Sequence, residues 1–256
     1  MLNGAYVRGN FYGKTMLFKN YKKDLTPLVF AVFAFTGGFL EAFTFVLHGG
    51  VFCNAQTGNV VMLVIDFVRG DFAGGLRYLY SILAYIVGII LSTVIPSRFK
   101  KVNWYLVVTA LELIALAGVA FIPESASDWF TYVTVAFVCS VQYNTFTKLH
   151  GVALATTFCT NNIRQTVMHF MKGVSEKSRE EYKKSGIYAF IILCFAAGAA
   201  VGVLAADGIG NYCILICSAL LVPVLALFAA DSAISVKRRR AALPEGGSGE
   251  GEGEWR

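Results

Sequence analysis

The fold is decided by residues 51–65, which read VFCNAQTGNVVMLVI. Four uncharged polar side chains interrupt sequence that is otherwise apolar enough for a membrane core: Asn54, Gln56, Thr57 and Asn59. A second stretch of the same character follows over residues 154–164 and reads LATTFCTNNIR. Both stretches follow long apolar segments, so each places polar groups where a membrane helix would otherwise continue.

The two stretches are related by an offset of 103 residues. At this offset six residues of the first half meet identical residues in the second half: Phe43, Thr44, Thr57, Asn59, Phe67 and Gly70 align with Phe146, Thr147, Thr160, Asn162, Phe170 and Gly173. We interpret them as two copies of one element, a helix that begins inside the bilayer.

The composition indicates an integral membrane protein. Hydrophobic residues make up 56% of the 256-residue chain, and the mean hydropathy is +0.61. Soluble domains contain roughly 45–50% apolar residues. The net charge of +6 does not indicate nucleic-acid binding, because the basic residues lie at the chain ends and in loops between apolar runs, where membrane topology places them.

The sequence contains none of the usual enzyme motifs. Zinc, P-loop, dinucleotide-binding and nucleophile-elbow patterns are missing, and the six cysteines form no CxxC pair. Cysteines within apolar runs most often act as small packing residues. We therefore predict no catalytic activity, no metal and no cofactor, and expect the bilayer and a small solute as partners, not nucleic acid.

Six apolar runs are long enough to cross a bilayer, which takes about 20 residues. They cover residues 26–48, 76–96, 103–123, 128–149, 185–205 and 210–231. Two shorter runs, 57–69 and 160–173, lie between them. Thirteen residues in a helix span only about 20 Å, less than the hydrocarbon core of about 30 Å.

The distribution of charge predicts how the short runs are arranged. If both dip into the membrane and return, the basic segments 97–101 and 172–184 lie in the cytoplasm, and the acidic loops near residues 123–128 and 206–210 lie outside. One exception is the loop 69–77, which carries Arg69 and Arg77 yet falls outside. Both chain termini are then cytoplasmic.

The predicted fold is therefore an all-α membrane protein with six transmembrane helices and two short re-entrant half-helices. Repeat 1 covers residues 26–123 and repeat 2 covers 128–231. Each repeat holds three spans, so the second has inverted topology, as in many secondary transporters. Residues 1–25 form a basic cytoplasmic segment, and 232–256 form a basic, then disordered, cytoplasmic tail.

The two half-helix starts form the predicted solute site. Helix N-termini present free N–H groups and about half a positive charge, which suits an anionic or polar group. Thr57 and Thr160 are also natural N-cap residues. The predicted solute-binding residues are Thr57, Gly58, Asn59, Thr160, Asn161, Asn162 and Arg164. The predicted supporting residues are Asn54, Gln56, Gln142, Asn144 and Thr157.

Glu41 is the notable charge within the first span. A carboxylate there costs about 2.5–3.5 kcal/mol on insertion scales, so we expect it to be paired or protonated. Arg164 is the candidate counter-charge. Two roles stay open for Glu41: a permanent pair with Arg164 that holds the repeats together, or a carboxyl that binds and releases a coupling proton. Its counterpart in the second repeat is Asn144.

Small residues predict a close helix contact in the second repeat. Gly198 and Gly202 form a GxxxG stripe, and Gly38 and Ala42 form a shorter analogue. Such stripes allow helix backbones to approach closely in membranes. The contact could lie within one chain or across a homodimer.

The motifs resemble those of the YoaK-like family of bacterial polytopic inner-membrane proteins, which is built on a domain of unknown function. The resemblance rests on TGGFLEAFTF at residues 36–45, GGVF at 49–52, QTGNV at 56–60 and the segment from Gln142 to Thr160. It covers roughly residues 25–232 and implies a multi-pass protein of the bacterial inner membrane. The family more often has Asp at the position of Glu41, and Thr-Gly where this chain has Thr160 and Asn161.

These observations predict a small secondary transporter for an anionic or polar solute, with its site at the midplane between the two half-helix starts. A proton or sodium ion could be the coupling ion. A channel-like pore built from the same elements and a non-transporting membrane scaffold or sensor are the alternatives.

Overall fold

A computed structural model describes residues 26–99, 102–123, 125–149, 152–153 and 159–241. Within these ranges the chain forms eight α-helices: α1 Thr26–Leu47, α2 Gln56–Val68, α3 Phe72–Arg98, α4 Trp104–Val119, α5 Trp129–Thr145, α6 Cys159–Glu176, α7 Arg179–Ile209 and α8 Leu215–Ala241. A 3₁₀ turn, Gly210–Ile214, precedes α8. A minimal antiparallel β-bridge, Lys148–Leu149 with Val152–Ala153, joins α5 to α6. The all-α prediction is confirmed.

Each predicted apolar run corresponds to one helix, and the main differences are at the ends. Helix α7 begins six residues before the predicted span because Ser178 accepts a hydrogen bond from the amide of Glu181 and caps it. Helix α8 continues to Ala241, so the segment predicted as a tail from residue 232 starts as helix. Residues 1–25 and 242–256 lie outside the described residues.

The helices are compatible with a membrane protein. Three described stretches are long and apolar enough to cross a bilayer: Pro27–Leu47, Phe72–Arg98 and Arg179–Ile234, the last of which contains α7 and most of α8. Helices α2 and α4 are apolar but shorter, with 13 and 16 residues. Helix lengths alone therefore support several spans without fixing which of the shorter helices cross.

The contacts made by the first four helices correspond to those made by the last four. Helix α1 packs along α7 and α3 along α5, while α2 packs on α3 and α6 on α7. Helix α4 contacts α5 and α8, and α8 also contacts α1. Exchanging α1–α4 with α5–α8 converts each of these pairs into another member of the set.

Glycines bring α1 and α7 into backbone contact. A Cβ atom added at Gly38 would collide with the carbonyl oxygen of Phe195, and one added at Gly198 would collide with that of Phe35. At Gly202 the added atom would lie 2.8 Å from the carbonyl oxygen of Phe39. The GxxxG stripe is thus used within the chain, between the first helix and the seventh.

Candidate functional site

The site begins where the chain reverses after α1. Gly49 and Gly50 have φ angles of +73° and +67°, a conformation that glycine adopts without steric cost. The chain then runs back along α1, and the Asn54 side-chain amide lies 3.4 Å from the carbonyl oxygen of Gly37. Glu41 precedes the end of α1 by six residues, a depth of about 9 Å. Helix α2 therefore starts well below the end of α1.

The carboxyl of Glu41 organises this turn. Its Oε2 atom accepts hydrogen bonds from the backbone amide of Asn54, at 2.8 Å, and from the thiol of Cys53, at 3.1 Å. Its Oε1 atom accepts from the backbone amide of Ala55 at 3.0 Å. Ala55 occupies the N-cap position of α2 and has no side-chain capping bond. Glu41 thus serves the role that a capping-box carboxylate plays within one helix.

The predicted threonine caps were wrong, because both helices begin before them. Helix α2 begins at Gln56 and α6 at Cys159, so Thr57 and Thr160 lie within the first turns. Both threonines are exposed. The amides of Gln56, Gly58 and Asn59 bond to backbone carbonyl groups of residues 54 and 55.

Asn59 locks the extended segment to the first turn of α2. Its side-chain amide donates to the carbonyl oxygen of Phe52 at 2.7 Å and to Oε1 of Gln56 at 2.9 Å. Its Oδ1 atom accepts from the backbone amide of Phe52 at 3.0 Å. The Gln56 side-chain amide donates to the carbonyl oxygen of Cys53 at 3.0 Å, and Gly58 lies under the Phe52 ring. The polar side chains of this stretch mainly hold its own shape.

We expect Asn59→Ala to destabilise the protein by about 1–3 kcal/mol, because the backbone amide of Phe52 loses its acceptor, while the Phe52 carbonyl keeps the hydroxyl of Ser81 as a donor. Thermal unfolding in detergent measures the change. Asn161→Ala is the matched control, since Asn161 lies in the first turn of α6 but is exposed. Equal destabilisation by the two variants would contradict the assigned role of Asn59.

The start of α6 lies near the start of α2. Cys159 is close enough to Glu41 for the carboxyl to act on its thiol electrostatically. In the first turn of α6, Thr160 and Asn161 are exposed, whereas Asn162 is buried like its counterpart Asn59. Thr157 lies outside the described residues. Within the described residues Glu41 therefore binds the start of α2 directly, and the start of α6 lies within electrostatic range of it.

Arg164 does not form the expected ion pair. It lies exposed on α6, and no ion pair joins it to Glu41 within the described residues. The carboxyl of Glu41 is satisfied instead by two backbone amides and a thiol. These donors lie close in space but were not visible as partners in the sequence.

The supporting residues of α5 face other helices. The Asn144 side-chain amide donates to Oγ of Ser92 at 2.9 Å and to Oγ1 of Thr93 at 3.0 Å, which ties α5 to α3. The Gln142 amide donates to the carboxyl of Glu112 on α4. Sequence analysis did not identify Glu112. The feature that identified Glu41, a single carboxyl within an apolar run, is also present at Glu112.

A further polar cluster that sequence analysis missed lies at the end of α1. The Nδ1 atom of His48 lies 2.9 Å from Oδ1 of Asp128, and its Nε2 atom lies 3.1 Å from Oδ1 of Asn211. A cavity of about 210 Å³ adjoins this cluster, and a larger one of about 570 Å³ follows the open side of α6. Neither cavity is lined by residues of the α2 start. Among the described residues, no group of three or more His, Cys, Asp or Glu side chains is placed to hold a metal.

Comparison with known families assigns the chain to a family. The family model described as a protein of unknown function, DUF1275, matches residues 29–228, which include α2, α6, Glu41 and Glu112. The chain belongs to the DUF1275 family. The YoaK-like resemblance is consistent with this assignment. No curated protein and no solved structure matches the chain. Membership in DUF1275 carries no activity, so the function is argued from the residues.

Proposed function

We propose that this DUF1275 protein is a secondary transporter for a small anionic or polar solute. The observation that carries the proposal is the buried carboxyl of Glu41, which binds the start of α2 directly and lies within electrostatic range of the start of α6. A pair of half-helix N-termini facing one point is the arrangement that binds anionic groups in many secondary transporters.

The proposed topology has six spans and two re-entrant half-helices in inverted repeats, with both termini in the cytoplasm of a bacterium. The depth of the α2 start, about 9 Å from the end of α1, supports re-entry. So does the length of α2, because 13 residues cover about 20 Å. The correspondence between the contacts of α1–α4 and those of α5–α8 is what two pseudosymmetric repeats would produce.

The polar groups at the helix starts indicate which hydrogen-bonding groups and which charge the solute would carry. The helix dipole favours an acceptor or a negative charge near Thr57 and Thr160. The Oδ1 atom of Asn54 is buried and has no hydrogen-bond donor within the described residues. A buried acceptor of this kind is satisfied by water or by a ligand donor. The site thus suits a solute that both accepts and donates hydrogen bonds, with Arg164 available for charge balance one turn along α6.

A membrane scaffold or sensor is the competing function. The observation that favours it is the hydrogen bonding of Glu41 and Asn59 to their own loop, which would suit a rigid element as well as a solute site. A channel-like pore uses the same elements but predicts uncoupled flux. Water access to the helix starts separates the scaffold from the two transport functions.

Thiol accessibility of the two helix starts tests the proposal. We expect Thr57→Cys and Thr160→Cys to react with a charged, membrane-impermeant thiol reagent in reconstituted vesicles. The background carries Cys159→Ser and Cys194→Ser, since these two native cysteines are partly exposed whereas the other four are buried. Mass spectrometry of the protein measures the extent of labelling from each side.

Val64→Cys provides the matched control. Val64 is exposed on the apolar part of α2, where lipid is the expected neighbour. It should stay unlabelled while the two helix-start positions react. If neither Thr57→Cys nor Thr160→Cys reacts from either side, the transport proposal fails and the scaffold reading takes its place.

A further inference from the structure

Glu112 is a second buried carboxyl, and it lies in an environment unlike that of Glu41. It is 1% exposed in the middle of α4, where α4 packs between α5 and α8. None of the ion pairs of the described residues includes it. A buried carboxylate without a cation or several donors is strongly unfavourable, whereas the neutral acid is tolerated.

Within the described residues, Glu112 has one hydrogen-bond partner, the side-chain amide of Gln142. Its Nε2 atom lies 2.7 Å from Oε1 and 2.9 Å from Oε2 of Glu112, so one amino group serves both carboxyl oxygens. The Oε1 atom of Gln142 is buried and has no donor within the described residues. A hydroxyl on Glu112 would supply the missing donor after a small rotation of the amide. The acid and the amide would then form a cyclic pair with two hydrogen bonds.

The neighbouring helices present thiols to this pair, not cations. Cys217 on α8 is in electrostatic contact with Glu112, and it is also near Cys139 on α5 and Cys213 in the 3₁₀ turn. On α4 itself the nearest other titratable side chain is Tyr105, two turns away. No group among these supplies a positive charge that would hold Glu112 ionised.

One of these thiols, that of Cys139, also lies near the loop that binds Glu41. Cys139 is adjacent to Cys53, whose thiol donates to Glu41.

We propose that Glu112 and Gln142 form a buried proton-binding site, in which Glu112 is a neutral carboxylic acid that releases its proton when it becomes ionised. The step is a simple proton exchange: a carboxylate and a proton form the acid, and no other bond changes. The site consists of one carboxyl and one amide, and the proposed ligand is the proton. Its use as the coupling site of transport rests on the proposed function; the protonation of Glu112 does not.

Infrared spectroscopy of the purified full-length protein tests the site with protons alone as the ligand. At neutral pH we expect the carbonyl band of a protonated carboxyl, which shifts on transfer to D₂O. Glu112→Gln should abolish this band, and Gln142→Leu should move it to higher frequency because the hydrogen bonds are lost. Raising the pH should replace the band with carboxylate bands before the protein unfolds.

Glu41→Gln is the comparison variant, because Glu41 is also a buried carboxyl but accepts three hydrogen bonds from the loop before α2. The component of the band that Glu112→Gln removes should survive this substitution. Size-exclusion chromatography and circular dichroism establish that each variant is folded. The proposal is overturned if the folded wild type lacks the band, if Glu41→Gln removes it and Glu112→Gln does not, or if it persists unchanged up to alkaline unfolding. None of these results depends on a solute, so they leave the accessibility test of transport untouched.

Discussion

Gly38→Leu is expected to destabilise the protein by about 3 kcal/mol or more, or to prevent its accumulation as a folded species. Even a single Cβ atom at this position would collide with the backbone carbonyl of Phe195 on α7. Backbone atoms cannot move aside as the end of a side chain can, so α1 and α7 would have to separate. Overpacking of well-packed cores typically costs about 1–3 kcal/mol even when side chains adjust.

The matched control is Gly186→Leu on α7. Nothing lies within 4 Å of a Cβ atom added at Gly186, and glycine is a poor helix former relative to leucine. This variant should be as stable as the wild type or slightly more stable. Fluorescence-detected thermal unfolding in detergent compares the two. Similar melting temperatures for Gly38→Leu and the wild type would show that α1 and α7 do not pack as described.

Glu41→Ala is expected to cost at least about 2 kcal/mol. The substitution leaves the backbone amides of Asn54 and Ala55 and the thiol of Cys53 without their acceptor. Each stranded buried donor costs about 1–3 kcal/mol. Part of this loss is offset because a buried carboxyl no longer has to be desolvated. We expect the loss of three hydrogen bonds to outweigh that relief.

Two further variants test whether Glu41 stabilises the fold through these hydrogen bonds or acts in transport alone. Glu41→Gln keeps one acceptor oxygen, so its stability should lie between those of the wild type and Glu41→Ala. Glu180→Ala removes a carboxyl whose side chain is 77% exposed, and surface changes of this kind usually stay within about 0.5 kcal/mol. If Glu41→Ala has the melting temperature of the wild type, Glu41 does not stabilise the start of α2 as assigned.

Helix positions were predictable because they depend on local composition. Long apolar runs produced α1, α3, α7 and α8, and the short run at residues 57–69 produced α2 with a shift of one residue at each end. The helical part of α6 was also expected, although it extends to Glu176. Helix formation in such runs does not depend on distant residues, because a bilayer favours a backbone that forms its hydrogen bonds within the segment.

Partners could not be predicted in the same way. The cap of α2 comes from Glu41, 14 residues before Ala55, so the local preference of Thr57 for the N-cap position had no bearing on the outcome. Glu112 and Gln142 are 30 residues apart on different helices. Residue type showed that each buried carboxyl needs a partner, but not which group would be close enough to provide it.

The sequence by itself determined the helical class, the position of the short helix α2 and the repeated polar motif, because hydropathy and residue spacing act along the chain. Only the tertiary structure decided that Glu41 bonds to the loop before α2 instead of to Arg164, and that Glu112 has one amide as its partner. Hydrogen bonds of buried groups depend on distances of about 3 Å between helices, and those distances are set by how glycines such as Gly38 and Gly198 allow the helices to approach.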